Sequence, residues 1–105
     1  MNSQRNWFNT KELIELTAML KSLGHSSRIS IMYLLCNNTE KKMTVKTIYE
    51  LLKMPQPVIS RHLGILRNSG LINRLLVGNH TYYKLNEKNV LARKIANCFS
   101  SIDKP

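Results

Sequence analysis

A chain of 105 residues, 43% of them hydrophobic, has material for one modest core and none for a separate ligand-binding domain. Sixteen basic side chains against six acidic ones leave a formal charge of +10, which fits a polyanionic partner, either nucleic acid or an anionic membrane surface. The longest apolar run, Ile29 to Cys36, is interrupted by Ser30 and falls far short of the roughly 20 residues a spanning helix needs, so no membrane partner is expected.

Residues 1–8 read as an N-terminal extension without the apolar centre of a secretory signal, and a cytoplasmic protein with reduced thiols is the expectation. A first helix follows. Asn9 stands three residues before Glu12, the spacing of an N-cap with a reciprocal carboxylate, and Leu13, Leu16, Leu20 and Leu23 recur at helical spacing until Gly24. Ser26 or Ser27 can cap a second helix through Ile29, Met32, Leu35 and Cys36, ending at Asn37-Asn38. Met43-Thr44 opens a third, with Val45, Ile48, Leu51 and Leu52 on its buried face and Lys53 at its end.

Pro55 and Pro57 suit a first helical turn, whose amides have no intrahelical acceptors, so a fourth helix starts here and runs to Gly70. Ile59, Leu63 and Leu66 form its inner stripe, while Gln56, Ser60, Arg61, Gly64 and Arg67 fall on the other side. Two strand-like runs, Leu71 to Val77 and His80 to Leu85, flank Gly78-Asn79, a tight-hairpin signal; alternation turns Tyr83 and Leu85 inward, Tyr82 and Lys84 outward. Asn86 can cap a last helix over residues 86–102, with Leu91, Ile95, Cys98 or Phe99, and Ile102 as its apolar stripe. The plan is a single domain, residues 1–105, mostly α with a β-hairpin, and it has no internal repeat or linker.

The segment from Leu51 to Asn86 contains no Asp or Glu and carries Lys53, Arg61, Arg67, Arg74 and Lys84. Laid on the predicted elements, it covers a helix-turn-helix followed by a wing, in which the second helix of the pair projects its first turns into the major groove. Gln56 can pair with adenine and Arg61 with guanine, and Ser60 can serve a base or a phosphate from the same face. Lys53, Arg67 and Lys84 suit phosphates, which supply affinity and salt dependence but no sequence information. His62 lies at the edge of the buried stripe, open to either packing or a phosphate contact.

Leu23-Gly24-His25-Ser26-Ser27-Arg28, Ser60-Arg61-His62-Leu63-Gly64-Ile65-Leu66-Arg67, Gly70-Leu71-Ile72 and Tyr82-Tyr83-Lys84-Leu85 occur in the order in which the ArsR/SmtB family of winged-helix repressors has similar residues. The chain resembles that family from about Leu13 to Ile102. The resemblance implies a homodimer joined through its first and last helices, bound to an inverted-repeat operator on double-stranded DNA and released by an inducer. Elementary reasoning points the same way, since one short helix reads few base pairs and a two-fold dimer doubles the half-sites.

The sequence departs from the family pattern in two places. Pro57 stands where a small hydroxyl residue is common, and Leu75-Leu76-Val77-Gly78-Asn79-His80 puts apolar residues where a wing is often charged. Wing contacts then fall to Arg74, Asn79 and His80, unless the hairpin only covers the core.

Metal-sensing members carry a Cys-x-Cys pair at the third helix, which would fall on Thr44 and Lys46, or Asp, His and Glu ligands on the last helix. Thr44 and Lys46 replace no thiolate, and the last helix holds no histidine, so no metal and no cofactor is expected. Other members sense oxidants or reactive sulfur through one cysteine on the second helix and one on the last, where Cys36 and Cys98 lie. A disulfide would need Cα atoms within about 7 Å, and the alternative is two small packing residues without reactivity. With no paired carboxylates, Ser/His/Asp arrangement or phosphate loop, an enzyme is not expected. The competing reading is a winged-helix module for protein–protein contact, which needs no basic face.

Overall fold

The computed structural model describes residues 10–38 and 40–103, so the N-terminal extension and the proposed Asn9 cap lie outside the described residues. Five helices and three short strands follow in order: α1 (Thr10–Leu23), α2 (Ser26–Asn37), β1 (Met43–Thr44), α3 (Val45–Leu52), α4 (Gln56–Asn68), β2 (Ile72–Val77), β3 (His80–Leu85) and α5 (Val90–Asp103). None of these helices is long and apolar enough to cross a membrane.

The core is an apolar cluster at the meeting of α2, α3, α4, α5 and the base of the hairpin. Ile31, Met32 and Leu35 of α2, Ile48 of α3, and Ile59, Leu63 and Leu66 of α4 are fully enclosed or nearly so. Leu71, Ile72, Ala92 and Phe99 close it from the hairpin and α5. The ring of Phe99 meets Tyr33 edge-on at 5.5 Å, so Phe99 rather than Cys98 occupies the inner stripe of α5, and Cys98 is exposed.

Several helix ends differ from the sequence reading. α2 is capped by His25, whose Nδ1 accepts from the Ser27 amide at 3.1 Å; the imidazole does what a serine hydroxyl was expected to do. Asn89, not Asn86, caps α5 by accepting from the Ala92 amide at 3.0 Å. Asn86 instead donates to the Gly70 carbonyl at 2.8 Å, and Asn89 donates to the same oxygen at 3.1 Å, tying the end of α4 to the start of α5. Gly70 itself sits at φ +85, a conformation that a side chain would strain.

Met43-Thr44 is a strand before it is a helix start. Met43 pairs with Tyr83 and Thr44 with Tyr82, making a three-stranded antiparallel sheet in the order β1-β3-β2. Thr44 then caps α3, its hydroxyl accepting from the Thr47 amide at 3.2 Å. The hairpin is thus fastened to the beginning of the helix pair, which fixes the wing relative to α4.

The leucine stripe of α1 is only partly turned into the core. Leu23 is buried and Met19 is packed on the core, but Leu13, Leu16 and Leu20 are exposed, as is Ile14 at 65%. Leu51, expected on the buried face of α3, is likewise exposed. On α5, Val90 and Ile102 point to solvent, Ile102 at 75%.

Candidate nucleic-acid interface

The turn between α3 and α4 is built to angle two helices closely. Lys53 ends α3 in the left-handed region at φ 56, with its amide donating to the Tyr49 carbonyl, and the Met54 amide donates to the same carbonyl at 3.1 Å. Pro55 then precedes α4 with no side-chain cap, and Pro57 lies in the first turn. Pro57 has no amide hydrogen to satisfy, and the Val58 and Ile59 amides donate to the Pro55 carbonyl at 3.1 and 3.2 Å, so the first turn closes on its own backbone.

With Ile59, His62, Leu63 and Leu66 turned into the protein, the helical period places Pro57, Arg61, Gly64 and Asn68 on the opposite face, with Gln56, Ser60 and Arg67 along one flank. Gln56 Nε2 donates to Ser60 Oγ at 2.7 Å, so two of the three expected base readers form one unit one turn apart. Arg61 and Arg67 are exposed. A Cβ built on Gly64 would meet nothing within 4 Å, so the fold does not require glycine there. Asn68 shares this surface with Arg61 and Gly64 and was not singled out from sequence, although the same helical period that identified Arg61 marks it.

His62 does not share the surface. Only 9% of it is exposed, and its Nδ1 is enclosed without a hydrogen-bond partner. Packing, rather than a phosphate contact, is the role its position supports. Its ring lies 4.7 Å from that of His25, so a residue of α4 meets the cap of α2. Burial, and then the nearby His25, Arg28 and Arg61 charges, hold the His62 pKa below the ordinary histidine value.

In the wing, β2 and β3 pair in register from Ile72 opposite Leu85 to Val77 opposite His80. Gly78 at φ +61 makes the turn with Asn79. Arg74, Asn79 and His80 are exposed, and the His80 and Tyr82 rings lie 6.3 Å apart. The tip is apolar: Leu75, Leu76 and Val77 are all exposed, Leu76 at 71%. Lys84, opposite Asn73, is half-buried on the side of β3 that faces α2 and α5, and Lys42 Nζ lies 4.9 Å above the Tyr82 ring.

The two cysteines are not joined by a disulfide. Both are free thiols, Cys36 half-buried and Cys98 exposed. Burial pushes the Cys36 thiol up from its ordinary pKa, with Lys41 partly opposing the shift, which lowers its thiolate fraction at neutral pH. Among the described residues, no three His, Cys, Asp or Glu side chains are grouped so as to hold a metal ion.

Residues 25–74, which span α2, the helix pair and the start of the wing, match the bacterial regulatory proteins of the arsR family. An uncharacterized HTH-type transcriptional regulator of Methanocaldococcus jannaschii is 35% identical over 72 residues, 69% of this chain and 79% of that protein. The chain belongs to the arsR family. It is a DNA-binding transcriptional regulator with a winged helix-turn-helix fold. The arsenical resistance operon repressor of Bacillus subtilis is 36% identical over 67% of this chain and 65% of its own length. Among solved structures, the transcriptional repressor PagR of Bacillus anthracis superposes with a TM-score of 0.74 at 26% identity, covering 90% of this chain and all of that one (100%).

Proposed function

We propose that this arsR-family chain is a homodimeric repressor that reads an inverted-repeat operator. The observation that carries the reading is the outward face of α4, where Gln56, Ser60 and Arg61 stand on a helix with no acidic residue. Gln56 and Ser60, held together, address a base edge such as adenine N6/N7, and Arg61 addresses guanine O6/N7. Lys53 at the inter-helix turn and Arg67 at the end of α4 flank that face, and these two with Lys84 on β3 hold phosphates. Arg74, Asn79 and His80 supply the flanking wing contacts.

Dimerisation is supported by the apolar residues that α1 and α5 leave in solvent. Exposed Leu16 and Val90, with the partly buried Met19 and Leu91, line one cleft of about 680 Å³ between these helices, and Leu13, Ile14 and Ala18 line another along α1. An exposed apolar set on two adjacent helices is the surface a second copy would cover. Repression follows the named activities of the arsenical resistance operon repressor and PagR.

Selection from a random duplex pool tests the reading. An inverted repeat should be enriched, and its affinity should fall steeply with salt. Enrichment of no symmetric site would favour a protein-contact module instead.

A further inference from the structure

A third concave surface lies away from the apolar face of α1, between α2, β3 and α5. It has a volume of about 290 Å³, near the lower end of the size used by small-molecule sites. Lys41, Lys84 and Arg93 line it against one carboxylate, Glu87. Its floor is apolar, from Leu35, Leu85 and Ala96, and Cys36 opens onto it. We propose that this cleft binds a small organic anion, a carboxylate or phosphate-type group carried on a short apolar body, and that occupancy weakens DNA binding.

The lining argues for charge and shape together. Three cations and one anion leave a positive excess in a concave, partly apolar place, where the field is screened less than on open surface. Arg93 Nη1 donates to the Glu87 carbonyl at 2.7 Å, which steadies the guanidinium while leaving its other N–H groups for a ligand. Lys41 sits in the left-handed region at φ 64, outside either flanking element, and its charge reaches Cys36. Leu35 and Leu85 cannot serve a bare inorganic ion, so the apolar floor selects an organic one.

The three cations come from three different places: the loop after α2, the wing strand β3 and the helix α5. An anion held by all three would tie the wing to α5 and would neutralise Lys84. The coupling to DNA rests on the proposed reading of Lys84 as a phosphate contact; the site itself does not.

Cys36 reports on the site, and Cys98 serves as an internal control in the same molecule. The reduced full chain is treated, without DNA, with iodoacetate or with neutral iodoacetamide; in both, thiolate sulfur displaces iodide, and peptide mass spectrometry reads each cysteine. The ratio of the iodoacetate to the iodoacetamide rate should be about ten-fold higher at Cys36 than at Cys98. Arg93→Gln and Lys84→Gln should each reduce that excess, and phenylphosphonate should protect Cys36 at lower concentration than inorganic phosphate. Equal ratios at both cysteines with no protection would overturn the site.

If Cys36 resists both reagents, the thermal midpoint decides. A saturable rise with phenylphosphonate in the natural chain, absent in Arg93→Gln, supports the proposal; no rise, or the same rise in both, overturns it. Saturating phenylphosphonate should then lower operator affinity in the natural chain and not in Arg93→Gln, and unchanged affinity would overturn the coupling. A failure of DNA binding itself would appear without any ligand and would leave the thiol ratios as they are.

Discussion

Removing Arg67 and removing Arg61 should weaken DNA binding in different ways. Both side chains are exposed on α4, so neither change should disturb the core or lower the thermal midpoint appreciably. Arg67→Gln deletes one phosphate neutralisation per protomer and two per dimer. The slope of log K against log salt should therefore become less steep by about 1.8, equally for every duplex. Between about 50 and 200 mM salt, the variant should lose about twelve-fold less affinity than the natural chain. Arg61→Ala should instead cost about 1–3 kcal/mol at each half-site, roughly thirty-fold to twenty-thousand-fold for the dimer. That loss should be confined to duplexes with the preferred base, so that discrimination at one position per half-site disappears. Fluorescence anisotropy across a salt series, with the selected operator and single-base variants, measures both effects. An Arg67→Gln slope equal to that of the natural chain, or an Arg61→Ala loss identical on all duplexes, would refute the division into readers and anchors.

The remaining predictions concern the dimer, the buried histidine and two glycines. Ile14→Glu changes a residue that is 65% exposed in one copy, so the monomer should keep its fold while sedimentation shows dissociation to single chains and operator affinity collapses; an intact dimer would show that α1 is not at the interface. His62, with its pKa depressed by burial and by His25, Arg28 and Arg61, binds fewer protons when folded than when unfolded. Stability should therefore be full above about pH 6.5, fall as pH drops from there toward the folded pKa, and level off below it. Urea unfolding at several pH values should show this slope, and His62→Leu should reduce it; an unchanged slope would place its origin elsewhere. Gly64→Ala should raise stability by about 0.5–1 kcal/mol in thermal unfolding, since a Cβ there meets nothing within 4 Å, yet weaken operator binding by crowding the outward face. Gly70→Ala, at φ +85, should cost about 1–2 kcal/mol and lower the midpoint with little specific effect on DNA.

The helix order, the hairpin and the recognition face were legible because each is written locally. Apolar spacing gives the phase of α4, Pro55 and Pro57 mark its start, and Gly78-Asn79 marks the hairpin turn. What escaped the sequence reading depends on neighbours distant along the chain. Met43-Thr44 has no strand signature of its own and becomes β1 only by pairing with Tyr83 and Tyr82. The leucine stripe of α1 was visible, but periodicity says which residues share a face and not what that face meets; only Leu23 of the four is buried. His25 as the α2 cap was hidden by two adjacent serines with stronger capping propensity. Its contact with His62 joins residues on different elements. The cation-lined cleft at Cys36 is of the same kind, since Lys41, Lys84 and Arg93 converge only after α5 packs on α2.

The central claim is that two copies of this chain read one symmetric operator through α4. The most direct measurement is the stoichiometry of the complex, by light scattering or native mass spectrometry, on the selected duplex and on a duplex carrying one half-site. Two protomers should bind the full inverted repeat, with half-site centres about 34–36 Å apart, and the single half-site should bind far more weakly. One protomer bound per operator, with equal affinity for the half-site, would contradict the account.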